Sequence, residues 1–254
     1  MRALLAAFAF LTRLPMPVQA LPGPHLRGQS VLYYPLVGLA LGGLLVLLAS
    51  LLGTVHAMLS AALVLLAWVL LTGGLHLDGL ADSADAWAGG HGDRVRTLAI
   101  MKDPASGPAG VSAIVLLLLI KFSALAALLV QSEYAALWLA PLFGRAALAL
   151  LFVTTPYVRA GGLGAAQAEH LPRQAVILVL LAVAVTPVIV FGLPGTVLVA
   201  VALALLFMLR RLMVQRLGGM TGDTLGASCE VVEAAVLVFM VFAATPEALP
   251  ATGG

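Results

Sequence analysis

Thr72–Gly110 reads TGGLHLDGLADSADAWAGGHGDRVRTLAIMKDPASGPAG, a polar, acid-rich segment set between apolar runs. The chain has 11 Asp and Glu residues, and five lie here: Asp78, Asp82, Asp85, Asp93 and Asp103. Asp78, Asp82 and Asp85 are spaced i, i+4, i+7, which stacks all three on one face of a helix of about 3.6 residues per turn. Anions held that close repel and need a countercharge. Hard oxygen ligands converging on one point suit Mg²⁺, which keeps some waters and shares its other sites with phosphate oxygens. The plain alternative is a solvated helix face. Apolar flanks argue against it, because acids placed beside a bilayer tend to be functional.

Working outward, hydrophobic residues make up 62% of the chain and charged residues 9%. That composition is far from the soluble average and predicts an all-α, polytopic helical membrane bundle, a single membrane domain over residues 1–254. The one cysteine, Cys229, excludes an internal disulfide framework and a thiolate metal site. No basic patch with interleaved aromatics is present, which excludes nucleic-acid binding.

About seven transmembrane helices are expected: Val31–Gly53, Val55–Leu71, Gly110–Val130, Tyr134–Thr154, Gln174–Phe191, a short Gly195–Leu209, and Gly226–Ala244. Met1–Leu14 is too short to cross a hydrocarbon core, which needs about 20 residues. A signal peptide cleaved after Val18-Gln19-Ala20 is one reading, but Arg13, Pro15 and Pro17 crowd its apolar core. A short N-terminal helix lying in the interface is preferred.

With seven spans and the N-terminus inside, Arg2, Arg13, Arg27, Arg94, Arg96, Lys102, Arg159, Arg173, Arg210, Arg211 and Arg216 all fall on the cytoplasmic side. The opposite connections, near Thr54, Ser132 and Pro194, and the tail after Ala244 carry no lysine or arginine. The same topology makes residues 72–110 a cytoplasmic acidic catalytic loop. Residues 210–233 form a second acidic motif on that face, containing Asp223, with Glu230 and Glu233 entering the last span.

The two motifs share a pattern. Gly218-Gly219 followed by Asp223 and Leu225 repeats the spacing of Gly73-Gly74, Asp78 and Leu80. Paired glycines let backbone approach a ligand and free N–H groups for phosphate oxygens; plain helix termination is the competing reading. In Lys102-Asp103-Pro104, the proline disfavours helix at Asp103 and projects its carboxylate, while Lys102 is either a phosphate contact or a positive-inside anchor. Arg145 lies mid-span in PLFGRAALAL and Lys121 well inside the third span. Arg145 is too far from an end to snorkel, so a polar cleft reaching it is expected. His76, beside Asp78, is a candidate base or ligand-orienting partner.

TGGLHLDGLADSADAWAGG, MKDPASGPAG and GGMTGDTLGASCE, with FLTRLPMP and YYPLVG near the N-terminus, closely resemble the cobalamin 5′-phosphate synthase family, also called adenosylcobinamide-GDP ribazoletransferases. The resemblance runs in order from about Phe10 to about Glu233. It implies an Mg²⁺-dependent enzyme of the bacterial cytoplasmic (inner) membrane that joins α-ribazole, or its 5′-phosphate, to adenosylcobinamide-GDP and releases GMP in the late nucleotide-loop step of vitamin B12 synthesis. On that reading Asp78, Asp82, Asp85 and Asp223 are the metal ligands, and Asp82, Asp85 and His76 the catalytic candidates. Substrate contacts are expected from Lys102, Asp103, Arg145, Glu230 and the glycines Gly73, Gly74, Gly218 and Gly219. Partners would be those two small-molecule substrates and membrane lipid, with a homo-oligomer or association with other corrinoid-pathway membrane enzymes left open. A CDP-alcohol-type phosphotransferase, an intramembrane prenyltransferase and a transporter are the alternatives. The first differs in its motif, since Asp78-Gly79-Leu80-Ala81 is followed here by Asp82 where that family continues Ala-Arg.

Overall fold

The computed structural model describes residues 1–16, 22–53, 56–159 and 161–244. In chain order the helices are α1 (Arg2–Leu11), α2 (Pro24–Ser30), α3 (Tyr34–Leu52), α4 (Ala57–Thr72), α5 (Leu75–Gly89), α6 (Arg94–Ile100), α7 (Pro108–Val130), α8 (Ala135–Thr154), α9 (Ala165–Glu169), α10 (Arg173–Phe191), α11 (Leu193–Leu217) and α12 (Gly222–Ala244). Among the described residues there is no strand, only an isolated bridge between Tyr157 and Met220. The bundle is therefore all-α, and it is polytopic.

Six helices are long and apolar enough to cross a membrane: Pro24–Leu52, which runs through a 3₁₀ turn at Val31–Tyr33, and α7, α8, α10, α11 and α12. The seventh expected span differs in form. Its helix α4 has only 16 residues and is followed by α5 at an angle of 87°, so a seventh crossing exists only if this bent pair is counted as one. The cause is Gly73-Gly74, whose φ values of +66° and +69° place both in the left-handed region that glycine enters without a Cβ penalty. The Arg13 side chain packs where a Cβ of Gly73 would lie, and the Arg13 amide donates to Leu71 O at 2.7 Å, tying the end of α1 to this corner. The sixth span is longer than expected: α11 has 25 residues and carries Arg210, Arg211 and Arg216 on its final turns. The cleavage-site reading at Val18-Gln19-Ala20, the connection at Thr54 and the tail after Ala244 lie outside the described residues.

The bundle is built around α8, which is buried along nearly its whole length. In lipid, helices associate through close van der Waals packing and not through apolar burial, so small residues sit at the contacts. A Cβ on Gly38 would lie 2.4 Å from Pro141 O, and one on Gly42 would lie 2.7 Å from Leu137 O, so α3 meets α8 backbone to backbone. Ends of helices are pinned by cations: Arg173 Nη2 donates to Val153 O at 2.6 Å and Arg210 Nη2 to Thr154 O at 2.9 Å. These contacts gather the end of α8, the start of α10 and the last turns of α11 at one end of the bundle. The start of α12 follows α11 directly, and α5 lies against it.

Candidate active site

Two close approaches assemble the acidic end. A Cβ on Gly79 would stand 2.7 Å from the Asp223 carbonyl, and one on Gly226 would stand 3.1 Å from Cα of His76. Helices α5 and α12 can touch this closely only because each presents a glycine. The crossing sets Asp78 and Asp82 of α5 beside Asp223 at the first turn of α12. All three line a cavity of about 550 Å³ whose other walls include Lys102, Asp103 and Arg159.

Arg159, which by sequence is only a marker of sidedness, belongs to this site. Its Nη1 donates to Asp223 Oδ2 at 2.7 Å. The loop that carries it is held by a short parallel pairing, Met220 N to Pro156 O at 2.8 Å and Val158 N to Met220 O at 2.9 Å. Gly219 allows this, since a Cβ there would lie 2.3 Å from Pro156 O. The legible signal is in the sequence, where Arg159 stands just before Gly161-Gly162 on the side that carries the acids.

The electrostatics are those of an anionic cluster short of countercharge. Helix α5 is not one of the six spanning helices, and its Asp82 is pushed up from the usual 3.8 to about 6. Burial is the largest cause, followed by the charges of Asp78 and Asp223; Arg159 pulls the other way without cancelling them. Among the described residues no three Asp, Glu, His or Cys side chains stand together as a ready-made metal cage. The donor set nevertheless fits a hard cation that keeps part of its water shell: carboxylate oxygens from two helices face one cavity and repel one another.

Of the other expected residues, Asp103 reaches the cavity and Asp85 and the paired glycines go elsewhere. Asp85 accepts hydrogen bonds from Gly107 N at 2.6 Å and Gly110 N at 2.8 Å, so its carboxylate caps the start of α7 and fixes the loop bearing Lys102 and Asp103. Asp103 lines the cavity while its Oδ1 accepts from Ala105 N at 3.0 Å. Asp93 is the N-cap of α6, accepting from Arg96 N at 2.9 Å. Gly73, Gly74, Gly218 and Gly219 are absent from the cavity wall and serve the chain reversals, with Gly218 at φ +79°.

Arg145 and Glu230 also need correcting. Arg145 faces no cleft; it is fully buried and donates through Nη1 to Glu233 Oε1. Lys121 Nζ bridges Glu233 Oε2 at 2.5 Å and Glu230 Oε2 at 2.6 Å, and sits 4.7 Å from the centre of the Trp68 ring. Two cations and two carboxylates thus neutralise one another between α7, α8 and α12, which is how a bundle tolerates charge at that depth. The sequence showed the charges but not that they were each other's partners.

The fold and site define a polytopic membrane protein with an anionic, cation-rimmed cavity at one end. The family model of cobalamin-5-phosphate synthase matches residues 3–241, and the chain belongs to that family. The chain is 56% identical over 232 residues to the adenosylcobinamide-GDP ribazoletransferase of Pseudomonas fluorescens Pf-5, covering 91% of this chain and 96% of that one. It is 55% identical over 238 residues to the proteins of the same name from Stutzerimonas stutzeri and Pseudomonas aeruginosa PAO1, covering 94% of this chain and 97% of each. No solved structure matches the chain.

Proposed function

We propose that the protein transfers α-ribazole, or α-ribazole 5′-phosphate, to adenosylcobinamide-GDP with release of GMP, and that it does so in the acidic cavity at the cytoplasmic face of the bacterial inner membrane. The observation that carries this reading is the convergence of Asp78, Asp82 and Asp223 with Lys102 and Arg159 on one cavity of about 550 Å³. A phosphoryl transfer needs positive charge beside the pentacoordinate phosphorus and the departing phosphate, which Lys102 and Arg159 supply directly and the carboxylates would supply by holding a cation. The charge bias of the connections supports the cytoplasmic assignment.

In the reaction, a ribose hydroxyl oxygen of the ribazole forms a bond to the phosphorus attached to cobinamide. The bond from that phosphorus to the GMP oxygen breaks, and GMP leaves with the electron pair. Asp78 and Asp223 would hold Mg²⁺, which when bound supplies charge neutralisation at the phosphates. Asp82, raised to about 6, is suited to accept the hydroxyl proton near neutral pH. Lys102 and Arg159 orient the diphosphate oxygens, Arg159 while bonded to Asp223. Asp85 acts through the loop it caps.

Purified protein in detergent, given adenosylcobinamide-GDP, α-ribazole and Mg²⁺, should form one GMP per corrinoid product. Turnover of a CDP-alcohol in its place, with no GMP from adenosylcobinamide-GDP, would replace this reading.

A further inference from the structure

A second, smaller chamber of about 130 Å³ adjoins the acidic cavity, and the two share Asp78, Leu163, Gly222 and Asp223 in their walls. Beyond those shared residues its character changes. Phe10, Tyr34, Phe152, Leu148 and Leu225 line it. Phe10 and Tyr34 stack with ring centres 6.2 Å apart and an interplanar angle of 20°, and Phe152 meets Tyr34 edge-on at 6.4 Å. The rings hold one another in place, so the walls are flat and fixed.

Apart from the Tyr34 hydroxyl, which lies beside Gln167 and Ser30, one polar side chain interrupts this apolar lining. His76 is 4% exposed, lines the chamber, and its buried Nδ1 has no hydrogen-bond partner. Leaving such an atom unpaired is costly, and the backbone that carries it is packed closely on α12, since a Cβ on Gly226 would stand 3.1 Å from His76 Cα.

We propose that this chamber seats the heteroaromatic base of the incoming nucleoside, with His76 Nδ1 hydrogen-bonded to the ring nitrogen that does not carry the ribose. The inference rests on the activity proposed above and adds to it the site and the selectivity for one substrate. A two-ring, largely apolar base has flat faces for the aromatic walls and one polar atom for His76. Guanine fails there, because its several donors and acceptors would be buried with a single partner. A corrinoid macrocycle is too large for the volume. The shared wall then places the ribose beside Asp78 and Asp223, where its hydroxyl meets the phosphorus. The chamber thus sorts the two nucleosides of the reaction, one inward and the other into the open cavity.

The test is steady-state kinetics of purified protein in detergent, varying α-ribazole and adenosylcobinamide-GDP separately, with His76→Leu and Leu148→Phe. The leucine removes the hydrogen bond and keeps bulk; the phenylalanine fills the chamber from its far wall. Both should raise KM for α-ribazole by about tenfold or more, the scale of one lost buried contact, while KM for adenosylcobinamide-GDP stays within twofold. If His76→Leu fails to assemble, Leu148→Phe and equilibrium dialysis of α-ribazole against the wild type carry the test. Ribazole KM within twofold of wild type in the variants, or equal rises in both KM values, overturns the chamber proposal while wild-type GMP release stands. Absence of GMP release by the wild type overturns the activity itself, and the chamber proposal with it.

Discussion

Replacing Glu233 by Gln removes one charge from the buried network and leaves the shape almost unchanged. Glu233 is the hub: it accepts from Arg145 and, at 2.5 Å, from Lys121, and its side chain is fully buried. After the change Lys121 still has Glu230 at 2.6 Å, but Arg145 has no carboxylate, and its Nε and Nη2 are already without partners. Breaking a buried ion pair by removing one member costs about 3–5 kcal/mol, because the surviving charge is stranded. At roughly 2–4 °C per kcal/mol for a chain of this size, the unfolding midpoint should fall by roughly 6–20 °C. Glu230→Gln should cost less, since Glu233 then keeps both cations. The double variant Arg145→Met/Glu233→Gln restores neutrality and should recover a substantial part of the loss. The assay is thermal unfolding of purified protein in detergent, followed by tryptophan fluorescence. A fall below 2 °C for Glu233→Gln, or a double variant equal to the sum of the singles, would refute the reasoning.

Four further outcomes are expected. Asp82 is raised to about 6 in the folded protein against 3.8 ordinarily, so the protonated form contributes stability that is full below pH 3.8 and lost as pH rises through 6. Asp82→Asn should therefore raise the unfolding midpoint of metal-free protein at pH 7.5 and leave it unchanged at pH 3.5, and Mg²⁺ held beside it by Asp78 and Asp223 should shift the acid limb of wild-type activity to lower pH; a limb indifferent to Mg²⁺ would place the metal away from Asp82. Gly79→Ala puts a Cβ 2.7 Å from Asp223 O, forcing α5 and α12 apart, and should lower stability by about 1–3 kcal/mol together with turnover; unaltered unfolding and kinetics would argue against the crossing. Arg145→Lys should lower the unfolding midpoint with KM for both substrates within twofold, and a selective rise in KM would return Arg145 to the substrate. Cysteines at Ala88 and Gln131, exposed at opposite ends, should react with impermeant maleimide only from the cytoplasm and only from outside respectively; labelling of Ala88→Cys in intact cells would invert the topology.

Much of the architecture was legible because a bilayer leaves few options: apolar runs of span length must be helices, and the arginines mark a side. The i, i+4, i+7 aspartates likewise gave α5 its acidic face. What the sequence hid was pairing. Whether Gly73-Gly74 binds phosphate or ends a helix depends on backbone angles that composition does not carry, and the angles decided for the turn. Asp85 is equivalent to Asp78 and Asp82 by spacing, yet the N-cap and first turn of α7 supply two amides to it. Arg145 looked like a ligand site because its partner, Glu233, is far away in sequence. Arg159 was missed for the converse reason, since a cation on a loop reads as an anchor until the fold sets it against Asp223.

The central claim is that the carboxylates of α5 and α12 serve phosphoryl transfer. It is tested most directly by GMP release from adenosylcobinamide-GDP in Asp78→Asn, at saturating α-ribazole and across an Mg²⁺ titration. The substitution removes one repelling charge at constant shape, so the protein should fold, insert and unfold no lower than wild type. Turnover should fall by at least about a hundredfold, the scale of several kcal/mol for a charge acting on the transferred phosphate, and the Mg²⁺ requirement should rise. Turnover within threefold of wild type at the same Mg²⁺ midpoint would contradict the account.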